Sequence, residues 1–270
     1  MASRATGRYG GNTACVALEV PRQEPILLDL GTGLREWAAT LEAEEPVRAH
    51  VLLSHVHLDH VQGLPFLDAL DVEGTRLDVY GPDPDGRRLG EAVDELLGPP
   101  WVPMTRHERP GEVRLAAVED EDLVVADAKV RVRTVPHRGA TNGYRIEWGG
   151  ACIAYVSDHQ APPDLTTVDH GVLELAEGAD LLIHDAQYTA TEWEHRRAWG
   201  HSTVGYAVLV AREAGARRLA LFHHDPDHDD DQLDHLLGGA RRTAERLGVD
   251  EVIAAAEGTT VSFERDAHGP

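Results

Sequence analysis

Lysine is almost absent: Lys129 is the only one among 25 basic residues, and 47 acidic residues leave a formal net charge of -22. A chain so acidic is ill suited to a broad electrostatic grip on nucleic acid or on an anionic membrane. Cysteine is scarce as well. Cys15 and Cys152 are the only two, both inside apolar runs, which speaks against a disulfide framework and for buried thiols in a reducing, cytoplasmic setting. No stretch approaches the roughly 18 uninterrupted apolar residues of a membrane helix. The segment Met1–Gly11 is small, polar and glycine-rich, so no secretory leader is expected there. Long linkers and repeats of fixed period are missing too. What remains is 270 residues with 42% apolar content, enough for a sizeable core and read as one domain over 1–270.

Histidine is abundant, with 16 copies, many at the ends of apolar runs. Those runs read as strands: Thr13–Val20, Pro25–Leu30, Val47–Leu53, Arg76–Tyr80, Val113–Val118, Lys129–Val135, Tyr144–Trp148, Cys152–Val156, Asp180–Ile183, Arg218–Phe222, Val252–Ala255 and Thr260–Glu264. Helices are expected at Leu34–Glu44, Leu64–Leu70, Asp85–Leu97, near Val172–Glu177, and at Thr189–Arg197, Thr203–Ala214 and Asp229–Leu247. Gly98–Pro110, with four prolines, reads as a loop. The alternation suggests two β-sheets faced by helices.

His55, His57, Asp59 and His60 fall within six residues, directly after the strand ending at Leu53. Positions i and i+2 of extended chain face the same way, so His55 and His57 can share one ion, and a turn would swing Asp59 and His60 toward a second. Imidazole and carboxylate suit zinc, and also manganese or iron. His137, Asp158 and His223 each follow another apolar strand and could converge on the same sheet edge, where loops carry sites.

Ser54-His55-Val56-His57-Leu58-Asp59-His60, followed by Gly63-Leu64-Pro65, resembles the signature loop of the metallo-β-lactamase superfamily. The opening Gly10-Gly11-Asn12-Thr13 and Leu28-Asp29-Leu30-Gly31-Thr32-Gly33 resemble its first hairpin. Pro136-His137, Ser157-Asp158, Ile183-His184-Asp185-Ala186, Gly200-His201-Ser202-Thr203 and Leu221-Phe222-His223 follow in an order similar to the branch containing ribonuclease Z and the cyclic phosphodiesterases of phosphonate breakdown. The resemblance implies an α/β fold, the four-layer αβ/βα sandwich with two mixed sheets flanked by helices. It implies two divalent metal ions, zinc first, with His55, His57 and His137 on one, Asp59, His60 and His223 on the other, and Asp158 bridging. His223 is preferred to His224 on the family's strand-end pattern, and Asp225 is a candidate to orient one of the two.

The resemblance also pairs Asp185 with His201. A carboxylate holds imidazole in one tautomer and raises its basicity, and the protonated ring can stabilise phosphoryl charge or give a proton to a leaving oxygen. The expected catalytic set is Asp59, Asp185 and His201. His201 could instead merely precede a helix capped by Ser202 or Thr203. His184 reads as structural, His159 as site or surface, and Gln187 and Tyr188 as pocket or packing residues. Arg138 and Arg145 are candidate phosphate contacts. Asp225, Asp227 and Asp229–Asp231 read as a solvated helix start. The five tryptophans, Trp37, Trp101, Trp148, Trp193 and Trp199, are assigned to the core or to pocket walls.

The expected activity is hydrolysis of a small phosphodiester, cyclic ones included, by a hydroxide bridging two metals. Acyl hydrolysis of a lactone, thioester or β-lactam on the same metals is the alternative, and a non-hydrolytic metal-binding or diiron redox protein a further one. Neither stable nucleic-acid binding nor membrane binding is expected, while a homodimer stays open. Only 20 residues separate His137 from Asp158, which leaves no room there for the tRNA-gripping arm of ribonuclease Z.

Overall fold

The computed structural model describes residues 3–42 and 44–263. In chain order the elements are β1 (Val16–Leu18), β2 (Ile26–Leu28), α1 (Leu34–Ala38), β3 (Arg48–Leu52), α2 (Leu58–Val61), β4 (Arg76–Gly81), α3 (Leu89–Leu96), β5 (Glu112–Ala117), β6 (Asp122–Val125), β7 (Ala128–Thr134), β8 (Asn142–Trp148), β9 (Ala151–Val156), α4 (His170–Ala176), β10 (Leu181–Asp185), α5 (Ala190–Arg196), α6 (Val204–Ala214), β11 (Arg218–Phe222), α7 (Asp230–Leu247) and β12 (Glu251–Ala254). One sheet runs β1-β2-β3-β4-β5 and the other β12-β11-β10-β9-β8-β7-β6. Both are mixed. Strands β2 to β5 are mutually parallel, as are β9 to β12, while hairpins add antiparallel strands beside them.

Side-chain alternation separates the layers. Ile26 and Leu28 of β2 and Leu52 of β3 face a core shared with Val130, Val132, Tyr144, Ile146, Tyr155 and Ile183 of the other sheet. Leu27, Val51 and Leu53 point the opposite way and pack under Leu34 and Trp37 of α1 and Val93 of α3. On the far side, Ala154, Val156, Leu182 and Leu219 bury the apolar faces of α4, α6 and α7. The result is the helix–sheet–sheet–helix sandwich expected from the resemblance. Helix α6 starts where Thr203 Oγ1 accepts the Tyr206 N–H and stops at left-handed Gly215; α7 is capped alike by Asp229 and Gly248.

Several elements differ from expectation. The helix expected at Leu34–Glu44 closes after Ala38, where i+3 bonds tighten its last turn. Leu64–Leu70 forms two short 3-10 turns, Leu64–Phe66 and Asp68–Asp71, separated by extended Leu67. Strand β6 escaped notice because the acidic run Glu119–Asp122 breaks the apolar pattern; it is an edge strand with Val124 exposed. The closing strand expected at Thr260–Glu264 does not form over 260–263, and Glu264 lies outside the described residues. Both cysteines are unpaired, and burial pushes the Cys15 thiol up to about 12. Among the described residues, no helix is long and apolar enough to cross a membrane.

The topology places the site. Parallel registration aligns Val156 of β9 with His184 of β10, and Asp185 with Phe222 of β11, so three strands end at one edge of their sheet. In the facing sheet β2 and β3 end in register at Leu28 and Leu52. The loops leaving these ends carry the chemically distinctive residues.

Candidate metal centre

Two groups of donors meet at that edge. In the first, His55 Nε2 and His57 Nδ1 lie 2.8 Å apart and His137 Nε2 is 3.3 Å from His57 Nδ1. In the second, Asp59 Oδ2 is 3.3 Å from His60 Nε2 and 3.1 Å from His223 Nε2. Asp158 stands between them, one oxygen to each side. Its Oδ2 is 3.9 Å from His55 Nε2 and 3.6 Å from His137 Nε2. Its Oδ1 is 3.2 Å from His60 Nε2 and 3.6 Å from His223 Nε2.

This spacing fits cations better than hydrogen bonds. A tetrahedral ion with bonds of roughly 2.1 Å keeps its ligand atoms roughly 3.4 Å apart. His60 Nε2 and Asp158 Oδ1 are buried and, among the described residues, lack a hydrogen-bond partner despite their proximity, a costly arrangement unless something else satisfies them. The electrostatics agree. Burial alone would raise the Asp158 carboxyl, but His223 and His60 beside it hold it well below the usual range. Burial likewise opposes a charge on His60 and His223, yet Asp158, with Asp29 and Asp59 respectively, raises His60 well above its ordinary value and His223 to about 9. The carboxylates of the second group thus favour positive charge beside them. In the first group burial dominates and depresses His55, His57 and His137, leaving neutral imidazoles suited to ligation.

The backbone sets these donors at specific angles. His57 stands at the N-terminal boundary of α2, whose single turn carries Asp59 and His60 round to the second group. His223 adopts φ 54°, in the left-handed region that few non-glycine residues enter. The chain therefore turns at His223 instead of continuing β11 in extended form. His223 joins the second group, whereas His224 Nε2 donates to the Ala255 carbonyl and its ring packs edge-on against Tyr9. A Cβ on Gly63 would sit 2.1 Å from the Gly31 carbonyl oxygen, and one on Gly31 would sit 2.4 Å from the Asp59 carbonyl oxygen, so these glycines let the metal loop press against the first hairpin.

Sequence reasoning missed the residues that orient the ligands. Asp29 is fully buried with φ 60°. Its Oδ2 accepts from His60 Nδ1 at 2.7 Å, Ser54 Oγ at 2.9 Å and Tyr155 Oη at 2.7 Å, and its Oδ1 accepts the Ser54 N–H at 2.6 Å. Ser54 Oγ also accepts from His55 Nδ1 at 2.9 Å. His137 Nδ1 donates to the Gly200 carbonyl at 2.7 Å. Each contact puts the hydrogen on Nδ1 and leaves Nε2 bare toward the donor group. One signal was available for Asp29: a carboxylate between Leu28 and Leu30 in a buried run needs partners.

Asp185 and His201 adjoin both groups. His201 Nδ1 donates to Asp185 Oδ2 at 2.8 Å, and its ring stacks 5.0 Å from that of His223 and meets His137 edge-on at 5.3 Å. Asp185 is fully buried and also accepts the N–H groups of His159, Gln187 and Ser202. A cavity of about 630 Å³ opens beside the first group, with His55, His57, Asp85 and Arg138 in its lining.

Other expected residues lie elsewhere. Arg145 is occupied by the Leu175 and Glu177 carbonyls at the end of α4 and by Glu147, so it makes no phosphate contact. Asp225 binds Arg196 and the Asp227 N–H rather than a histidine, because its loop turns back toward α5. In the acidic run, Asp230 is buried and accepts the Arg8 and Tyr9 N–H groups instead of facing solvent. Trp37, Trp148 and Trp193 are buried, but Trp101 at 72% and Trp199 at 59% exposure belong to neither core nor cavity lining.

Comparison with known proteins agrees with this geometry. Residues 25–224 match the family described as Beta-lactamase superfamily domain. A ribonuclease Z of Synechococcus sp. (strain CC9902) is 30% identical over 266 residues, covering 80% of this chain and 82% of that protein. A metallo-beta-lactamase fold protein from Bacillus subtilis superposes with a TM-score of 0.69 at 23% identity, covering 94% of this chain and 96% of the other. The short form of human tRNase Z superposes with a TM-score of 0.66 at 21% identity, covering 98% and 96%.

Proposed function

The chain belongs to the beta-lactamase superfamily as a metal-dependent hydrolase similar to ribonuclease Z, and from that premise we propose that it hydrolyses small phosphodiesters, cyclic ones among them. The observation that carries the reading is the Asp185–His201 pair set against two donor groups that share Asp158. A carbonyl substrate needs no such pair, whereas a phosphodiester with an alkoxide leaving group needs a proton. The stretch from His137 to Asp158 is filled by the β8–β9 hairpin and its connections, with no arm to hold a folded RNA, and the charge of -22 repels a polyanion. The core common to both sheets supports treating the chain as one domain.

His55, His57, His137 and Asp158 Oδ2 would hold one cation, and Asp59, His60, His223 and Asp158 Oδ1 the other, zinc being the ion these nitrogen and oxygen donors suit. When bound, the cations supply acidification of water and neutralisation of phosphoryl charge. The chain does the rest. Asp59, whose side chain is 40% exposed, orients the attacking water. That oxygen forms the new P–O bond, the opposite P–O bond breaks, and His201 Nε2 gives its proton to the departing oxygen. Asp185 holds the charged imidazole in place, and the proton lost by water restores it.

The test is turnover by metal-replete protein of bis-p-nitrophenyl phosphate and a panel of cyclic and linear phosphodiesters, run beside a lactone panel with elemental analysis. Phosphodiesters should give the higher kcat/KM with zinc bound. A lactone preferred by orders of magnitude would overturn the reading.

A further inference from the structure

Behind the Asp185–His201 pair lie two buried imidazoles that the reaction leaves unused. His184 precedes Asp185 on β10 and His159 follows Asp158; neither has measurable exposure. Their hydrogen bonds admit one arrangement. His184 Nδ1 faces the Asp185 carbonyl oxygen at 2.7 Å, so it carries the hydrogen. His184 Nε2 is then a bare lone pair, and His159 Nδ1, 3.0 Å away, donates to it.

The chain closes on the acid–base pair from a second side. The His159 peptide N–H donates at 3.1 Å to Asp185 Oδ2, the oxygen that accepts from His201. Ser202 Oγ donates to the His159 carbonyl while the Ser202 N–H donates to Asp185 Oδ1. Asp185 is thus gripped by its main chain through His184 and by its carboxylate through the His159 peptide. Packing alone does not account for the pair. Apolar side chains would fill the space without polar atoms to satisfy, and here His159 Nε2 has no hydrogen-bond partner among the described residues.

We infer that His184 and His159 are positioning residues that fix the Asp185 carboxylate and, through it, the direction in which His201 presents its proton to the leaving oxygen. The inference rests on the reading of His201 as the proton donor. It predicts a loss that depends on the leaving group: p-nitrophenolate departs without a proton, whereas a more basic phenolate or alkoxide requires one.

The experiment measures kcat/KM of metal-replete full-length protein on aryl phosphodiesters graded from p-nitrophenyl to phenyl leaving groups. His201→Ala should steepen the dependence on leaving-group pKa. His184→Leu, with metal content intact, should lose about tenfold on the phenyl ester and less than about threefold on the p-nitrophenyl ester. His184→Asn, which keeps a donor near the Nδ1 position, should recover most of the phenyl activity. If His184→Leu loses metal or fails to fold, His184→Gln carries the test, since it keeps an acceptor for His159 but drops the bond to the Asp185 carbonyl. Equal losses on both esters, or none, overturn the inference when His201→Ala is leaving-group sensitive. A His201→Ala variant with no such sensitivity overturns the proton-donor reading itself, and the positioning inference with it.

Discussion

Replacing Asp29 by Asn isolates how one buried carboxylate sets the metal affinity of a histidine it touches. The backbone is not the variable, because Asn tolerates the left-handed φ of 60° at this position. The hydrogen bonds are. Three donors converge on Oδ2, from His60, Ser54 and Tyr155, and one on Oδ1, from the Ser54 peptide. The amide oxygen must take the Oδ2 side, which turns Nδ2 toward the Ser54 N–H and sets donor against donor at a spacing now 2.6 Å. A buried unsatisfied donor and weakened charge-assisted bonds together cost about 2–4 kcal/mol, which for a chain of this size lowers Tm by roughly 5–10 °C. His60 loses its anionic partner and becomes a poorer ligand, so affinity for the second cation should fall about 10- to 100-fold. His55 keeps Ser54 as its partner, so the first cation should be held within about threefold of wild type. Stepwise zinc titration against a chromogenic chelator resolves the two equivalents, and calorimetry gives Tm. Equal weakening of both equivalents, or an unchanged second one, would refute the account of Asp29 as the anchor of His60.

Asp158→Ala should lose metal and activity together, since each oxygen serves one donor group; retention of both ions by elemental analysis would contradict the bridging role. His201→Ala should keep both ions and lose kcat by about 10²- to 10⁴-fold on substrates with basic leaving groups, and full activity would remove the proton-donor assignment. The metal-stripped protein should be most stable near neutral pH. His223, raised to about 9, stabilises the fold fully below the ordinary histidine value and loses that contribution as pH climbs through about 9. His55, His57 and His137, depressed by burial, resist the protonation that the unfolded chain accepts, so stability also falls as pH drops below about 6.5. A Tm in chelator that keeps rising from pH 6.5 to 9.5 would be the wrong sign.

Much of the site could be read in one dimension because metal ligation demands rare residue types in dense or strand-end positions. His55, His57, Asp59 and His60 are local, and the linear pattern exposes them directly. Asp29, Gly200 and the His159–His184 pair were not read for what they do. Their partners are distant in the chain, Asp29 and His60 being 31 positions apart and His137 and Gly200 63 positions apart, and nothing in local periodicity reports such pairings. Strand β6 was hidden for a different reason: the acidic run Glu119–Asp122 masks its start, and a short edge strand is held by its neighbour rather than by its own pattern.

The amino-acid order alone determined the strand-ending histidines, the layered alternation of apolar residues and the ligand types, because these follow from side-chain chemistry and from periods of 2 and 3.6. Tertiary structure decided which strand ends share an edge, that each oxygen of Asp158 faces a different donor group, and which nitrogen of each histidine is left bare. Those outcomes depend on parallel registration and on hydrogen bonds between segments far apart in the chain, and only a folded molecule contains them.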